Sequence, residues 1–296
     1  MTKFSIEAPC KINLHLAIGS RRNDGFHELE SVFLALSLSD TLDFEIDEKT
    51  GGSTKISMDY SSLPPELIAP FKKLDTKTNI VYKAVNLFRK ATGFDGAVKI
   101  HIKKNIPCGA GLGGGSSNAA STLIALNKTG LSFDIKTLAA ELGSDVPFFL
   151  QARAALIRGR GEKIIRIFAP ELFFVIIMPG FTSETVRAYR LFDEFHVRQD
   201  VIRYDITRFL TESPKLWPFK NDFLPVFMQA GTDAEKSAYS EMLYRLKESG
   251  ADFAGLSGSG SSCFGVFKTG NAAKNAADRL SAHWPFVRLA VHTGSV

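Results

Sequence analysis

The sequence is short of cysteine. Its 296 residues include three, Cys10, Cys108 and Cys263, too few and too scattered for a disulfide framework. No CxxC pair and no Cys/His cluster has the spacing of a metal site. Long apolar runs are missing as well. None reaches the ~18 residues of a membrane-spanning helix. The opening residues Met1-Thr2-Lys3-Phe4-Ser5-Ile6-Glu7 lack the apolar core of a signal peptide. These absences predict a cytoplasmic protein with no membrane partner and with small buried thiols. Dense basic runs are also absent. The net charge is +5, but Lys and Arg are spread along the chain. A diffuse excess without a nucleic-acid motif suits a small polyanion, so the prediction is a small-molecule partner and no nucleic acid.

What is present is an ordinary core and a mixed α/β pattern. Hydrophobic residues make up 45% of the chain, enough for one large domain or two of usual size. Ile12, Leu14, Leu16 and Ile18 alternate with polar or small residues as in a half-buried strand, and Leu42, Phe44 and Ile46 do the same. Asn79 is placed to cap a helix whose apolar face is Ile80, Ala84, Leu87, Phe88 and Ala91, with Gly93 as its stop. Val98, Ile100 and Ile102 mark another strand, and a helix of small residues is predicted from about Ser117 to Asn127. Ile135, Leu138, Ala139 and Leu142 form a helix ended by Gly143, and Ser144-Asp145-Val146-Pro147 reads as a sharp turn into a new element. The second half repeats the style. Strands are predicted at 173–178, 252–256, 263–267 and 287–293, with helices near 184–195, 239–246 and 271–282. The partition is two layered domains, 1–155 and 156–296.

One segment stands out. Pro107, Cys108, Gly109, Ala110, Gly111, Leu112, Gly113, Gly114, Gly115, Ser116 and Ser117 lie between a predicted strand and a predicted helix. Glycines let backbone approach a ligand closely, and a helix start presents free N–H groups and a positive dipole end, which together bind phosphate. No lysine follows, so this is not a Walker loop. A dinucleotide fingerprint would need an acidic ribose ligand about 20 residues on, and Asp134 is only loosely placed for that.

The run Pro-x-x-x-Gly-Leu-Gly-Gly-Gly-Ser-Ser resembles the phosphate-binding segment of the GHMP kinases. Four more stretches agree in order along the chain. They are Pro9-x-Lys11-x-Asn13-Leu14 with Arg22-x-Asp24-Gly25-Phe26-His27, then Gly143-x-Asp145-Val146-Pro147-Phe148, Asn221-Asp222-Phe223, and Leu256 to Phe264. Within the superfamily they are most similar to the branch whose acceptor is a small alcohol carrying a cytidine diphosphate. The alternative is a homoserine or mevalonate type of acceptor, against which the Gly-Phe-His and Asn-Asp-Phe segments argue. Phe26 stands where that branch commonly has tyrosine, and Ser257 where it has threonine. The stretch from Phe192 to Phe219 matches no motif.

The resemblance implies an α+β, two-domain GHMP kinase-like fold. Its N-terminal α/β domain binds ATP, its C-terminal domain is a ferredoxin-like α/β sandwich, and the active site lies in the cleft between them. It implies ATP and Mg²⁺, with no metal ligand assigned, and a monomer or weak homodimer. Residues 107–117 would wrap the ATP phosphates, with Asn79 and Lys104 near adenine. Taken alone, Asn79 is as well a plain helix cap, and Asp145 likewise. The resemblance makes Asp145 the base or charge holder for the acceptor hydroxyl, with Lys11 beside it. Phe26 and Tyr189 would sandwich the cytosine, His27 would read it, and Asn13 and Thr185 would bond the diphosphate or the erythritol.

Overall fold

The computed structural model describes residues 1–49, 51–72, 78–151, 153–195 and 205–293. By compactness the chain falls into two units. One holds residues 1–10, 39–108 and 113–152, and the other 11–38, 109–112 and 153–296.

The first unit is built from parts of two long strands, β1 (Thr2–Arg21) and β2 (His27–Asp47), and from β3 (Thr54–Asp59), α1 (Ala69–Lys72), α2 (Ile80–Thr92), β4 (Ala97–Lys103), α3 (Gly114–Asn127), α4 (Ile135–Leu142) and α5 (Val146–Gln151). Strand β4 runs antiparallel to the end of β2, Thr41 facing Lys103 and Asp47 facing Ala97, and parallel to β3. The expected alternation is there. Leu42, Phe44, Ile46, Val98, Ile100 and Ile102 form one buried face, closed by Val81, Val85 and Phe88 of α2. Asn79 caps α2 by accepting the Val81 N–H at 2.9 Å, and Gly93 ends it at φ 72°. Helix α3 is buried on almost every side, which its small residues Ala119, Ala120 and Ser121 permit.

A buried ion pair controls how the chain leaves β4. Asp40 is wholly buried and pairs with the ammonium of Lys104. The same carboxylate accepts the N–H groups of Asn105 at 2.7 Å and Ile106 at 2.9 Å. One oxygen thus fixes two consecutive peptides just before Pro107, and a buried carboxylate so surrounded is fully satisfied.

The second unit adds β5 (Ala154–Gly159), β6 (Lys163–Arg166), β7 (Glu171–Met178), α6 (Thr185–Phe195), α7 (Phe223–Ala230), α8 (Asp233–Glu248), β8 (Phe253–Leu256), β9 (Cys263–Phe267), α9 (Gly270–Leu280) and β10 (Phe286–Thr293). The early part of β2 pairs antiparallel with β5, Leu29 facing Gly159, and β5 with β6. A separate four-stranded sheet has the order β10-β7-β9-β8. Counted along the chain that is 4-1-3-2, with α8 and α9 as the two crossovers, the expected ferredoxin-like sandwich. Central β7 is nearly all apolar because it is covered by strands on both edges and packed on a face.

Several boundaries differ from expectation for local reasons. Helix α3 starts at Gly114, not Ser117, since tertiary packing carries the glycines into the first turn. Helix α8 starts earlier because Thr232 and Glu235 form a capping box. Helix α7 was not expected; its apolar run is too evenly hydrophobic to show a face.

His15 on β1 is a pH-sensitive element of this fold. It is buried, and its Nδ1 accepts the Lys220 N–H at 3.2 Å. Burial lowers its pKa from the ordinary 6.5 to about 4, against the opposing pull of Asp222. Between those values the unfolded chain binds the proton and the folded chain does not. Stability is therefore complete above pH 6.5 and falls as pH drops toward 4, by on the order of 3 kcal/mol. Urea midpoints measured across pH 4–7 check this, and His15→Gln is expected to flatten that part of the profile.

Candidate active site

The glycine-rich segment takes its shape from backbone that only glycine adopts freely. Gly109, Gly111 and Gly113 lie at φ 62°, 73° and 69°. Gly113 precedes α3 and offers no side-chain cap, so the first-turn N–H groups of α3 are left for an anion. Ser117, on the same turn, is fully buried, and its hydroxyl has no partner among the described residues. A buried orphan oxygen at that place fits a phosphate or a phosphate-bound cation.

Residues 109–112 are fixed by the second glycine-rich segment. Gly109 and Ala110 carbonyls accept the N–H groups of Ser261 at 3.3 Å and Ser262 at 3.2 Å. Ser257 donates its hydroxyl to the Gly111 carbonyl at 2.9 Å and accepts the Asn13 N–H at 3.3 Å. Leu112 accepts the Lys11 N–H at 2.9 Å. Asn221 clamps the second segment from the far side. Its Nδ2 donates to the carbonyls of Leu256 at 2.8 Å and Gly258 at 2.9 Å. Asp222 accepts the Ile18 N–H at 2.9 Å, so the Asn-Asp-Phe motif pins both β1 and this turn.

Lys11 and Asn13 are both about 4% exposed. Lys11 donates to the Asn13 Oδ1 at 2.5 Å and lies over the Phe33 ring at 4.6 Å. Asn13 passes its Nδ2 to Ser31 at 3.0 Å, and Ser31 bonds the His15 carbonyl. Both ends of the Asn13 amide are thus engaged by protein, which makes it an orienting group for the Lys11 ammonium. Ser31 was not singled out from sequence, and Ser257 and Asn221 were noted only as members of motifs, since nothing marks a serine or asparagine as a hub before its distant partners are known.

The residues expected around cytosine gather in part. His27 stacks on Tyr189, centroids 5.4 Å apart at 20°, and meets Phe192 edge-on at 5.6 Å. Its Nδ1 faces the Gly19 carbonyl at 2.9 Å and its Nε2 the Asp193 carboxylate at 3.1 Å. Both ring nitrogens therefore face protein oxygens. Phe26 is half exposed on the turn made by Gly25 at φ 85°, and the Arg160 guanidinium lies over its ring at 5.3 Å. Thr185 shares a hydrogen bond with Ser259 at 2.9 Å. In the first unit, Asp145 sits between Gly143 and α5, half-buried. Lys104 is held by Asp40 and lies over Phe71 at 5.4 Å, and Asn79 is committed to its cap. Cys10 and Cys263 are buried, and burial pushes the Cys263 thiol far up, which makes it unreactive.

Comparisons with known proteins give the chain's family and fold. The model of the GHMP kinase N-terminal domain matches residues 79–153, and that of the GHMP kinase C-terminal domain matches 218–285. Solved homoserine and mevalonate kinases share the fold at 16% identity, with TM-scores of 0.63 and 0.65. The class is thus the GHMP kinases. A crystal structure of 4-(cytidine 5'-diphospho)-2C-methyl-D-erythritol kinase is similar at TM-score 0.80 and 32% identity, over 97% of this chain and 98% of that one. Proteins named 4-diphosphocytidyl-2-C-methyl-D-erythritol kinase are 34% identical in Prochlorococcus marinus (strain AS9601), over 92% of this chain and 88% of the relative. The figure is 35% in Prosthecochloris aestuarii, over 95% of both. The chain belongs to the 4-diphosphocytidyl-2-C-methyl-D-erythritol kinase family. No helix among the described residues is long and apolar enough to cross a membrane.

Two glycines in the loop separate geometry from composition. A Cβ on Gly111 would stand 2.1 Å from the Ser257 carbonyl oxygen, at positive φ, whereas on Gly115 it would meet nothing closer than 3.7 Å. Gly111→Ala is expected to lower stability by about 2 kcal/mol or more, and Gly115→Ala by less than about 1 kcal/mol. Denaturant unfolding of the two variants side by side checks the contrast.

Proposed function

We propose that this protein transfers the γ-phosphoryl group of ATP to the 2-hydroxyl of 4-diphosphocytidyl-2-C-methyl-D-erythritol. The products are the 2-phosphate and ADP, a step of the non-mevalonate route to isoprenoid precursors. The observation that carries the reading is the similarity to kinases of that name along more than nine-tenths of the chain. We take residues 1–155 and 156–296 as its domains, in a cytoplasmic monomer or weak homodimer.

The chemistry needs an oriented hydroxyl, an in-line phosphoryl group and compensation of the charge that builds up. The 2-hydroxyl oxygen bonds to the γ-phosphorus while the bond from that phosphorus to the β–γ bridging oxygen breaks, and ADP leaves with the electron pair. The hydroxyl proton passes to the Asp145 carboxylate. Lys11, aimed by Asn13, supports the negative charge on the reacting oxygens. The glycine-rich segment 107–117 holds the phosphates through backbone N–H groups. Mg²⁺ would supply charge neutralisation on the phosphate oxygens, and the Ser117 hydroxyl suits an oxygen ligand or phosphate contact there. Asn79 and Lys104 border adenine in this reading. Phe26, His27 and Tyr189 take the cytosine, with Asn13 and Thr185 toward the diphosphate and the erythritol.

With Mg-ATP the purified protein is expected to phosphorylate the cytidylyl compound and to leave homoserine and mevalonate unchanged. Turnover of either of the latter, with none of the former, would remove the assignment. Asp145→Asn is expected to cut kcat by roughly 10²–10⁴-fold with the KM for ATP unchanged. Near-normal kcat in that variant would take the proton-accepting role from Asp145.

A further inference from the structure

Among the described residues, the start of α6 is held by polar contacts. Val186 is 83% exposed, Thr185 is exposed as well, and the apolar seat of the helix begins only at Ala188. Thr185 shares a hydrogen bond with Ser259 at 2.9 Å. Arg187 stands two residues on, about 200° further round the helix. Its guanidinium fork donates to both Glu235 oxygens on α8, at 2.5 and 2.8 Å. The same carboxylate accepts the Thr232 N–H at 2.8 Å and the Thr232 hydroxyl at 3.1 Å. Glu235 is thus fixed by its own helix start before it meets Arg187. Helix α8 also seats the other side of the Thr185 contact. Tyr239 follows Glu235 by four residues and shares its face. Its hydroxyl lies against Gly260, where a Cβ would come within 2.6 Å of it. Its ring meets Phe181 edge-on at 6.2 Å, and the Ser261 hydroxyl donates to the Phe181 carbonyl at 2.7 Å. One face of α8 therefore seats both partners of the Thr185–Ser259 bond, one through Arg187 and the other through the turn at 259–261.

We propose that the Arg187–Glu235 pair is a positioning element for the acceptor substrate, setting the height and rotation of the first turn of α6 and so the direction of the Thr185 hydroxyl. The inference rests on the contact between Thr185 and the acceptor proposed above. A hydroxyl has one proton and two lone pairs, and Ser259 engages one of these three. What remains meets a ligand in directions set by the backbone, since the threonine side chain is stiff. Apolar packing is non-directional and would let an exposed turn slide. A planar two-point contact fixes distance and orientation together. Lysine in place of Arg187 would keep the charge and lose that fork. Among the described residues, neither Arg187 nor Glu235 bonds the segment 107–117. The effect of the pair therefore passes through Thr185 and spares the ATP side of the reaction.

The test measures kcat and the KM of each substrate in Arg187→Met, Arg187→Lys, Thr185→Val and the double variant Thr185→Val/Arg187→Met. Arg187→Met is expected to raise the KM of the cytidylyl substrate by about tenfold or more, with the KM for ATP unchanged. Arg187→Lys should fall between it and the wild type. Thr185→Val should raise the same KM, and adding Arg187→Met to it should cost less than about threefold more, because both changes remove one contact. An unchanged KM for the cytidylyl substrate in Arg187→Met overturns the inference, as does an equal rise in the KM for ATP. A lower melting temperature with both KM values at the wild-type level overturns it too, since the pair would then only stabilise the fold. Losses that multiply in the double variant show that Arg187 does not act through Thr185, and they overturn it as well. A normal KM in Thr185→Val removes its premise and leaves the kinase reading in place. No turnover of the cytidylyl compound by the wild type overturns both. Should Arg187→Met melt early, Arg187→Lys, alone and with Thr185→Val, decides by the same comparison.

Discussion

The Ser257 hydroxyl is the joint on which the loops of the second unit depend. It donates to the Gly111 carbonyl and accepts the Asn13 N–H. A hydroxyl has one proton and two lone pairs, so one small side chain can bind both segments at once. The joint works only because Gly111 has no Cβ, which would collide with the Ser257 carbonyl. From it the order spreads outward. Asn13, fixed at its backbone, turns its amide so that one end holds Lys11 and the other Ser31. A buried ammonium loses much of its hydration, and acceptors of defined direction are what keep it in place. The Lys11 ammonium is thus aimed by a chain of neutral groups that starts at a serine nearly 250 positions further along the chain.

A second buried cation is used differently. Lys104 is tied to the fully buried Asp40, whose carboxylate also gathers two backbone N–H groups. That cluster is local in sequence on one side and crosses from β2 on the other. It sets the path of the chain as it enters the glycine-rich segment. Removing either charge would leave the other buried without its partner, the costly case for ion pairs. Whatever ligand contact Lys104 makes, its position is determined first by this structural task.

Much of the architecture was legible because it follows short periods. The alternation at 42–46 and 98–102 is a strand signal, and it appears as one buried face. Asn79 and Gly93 bracket α2 as their chemistry demands. The glycine-rich segment could be read because five glycines in seven positions at a helix start have few other uses. Other features could not be read. Helix α3 begins on glycines that disfavour helix, and only packing explains its start. Asn221 looked like part of a motif without a task until its two carbonyl partners, more than 30 residues away, came into view. Long-range hydrogen bonds leave no trace in composition or spacing.

The two ends of the proposed substrate pair pose different physical problems. Phosphates are alike in every nucleotide, so backbone N–H groups at a helix start suffice, and side chains there are best absent. Charge attraction of that kind is strong but says nothing about which base or alcohol is attached. Identity has to be read by side chains whose donors and acceptors have fixed directions. That requires rigid support, and the His27 ring, stacked on Tyr189, met edge-on by Phe192 and faced by the Gly19 carbonyl and the Asp193 carboxylate, is held in that way.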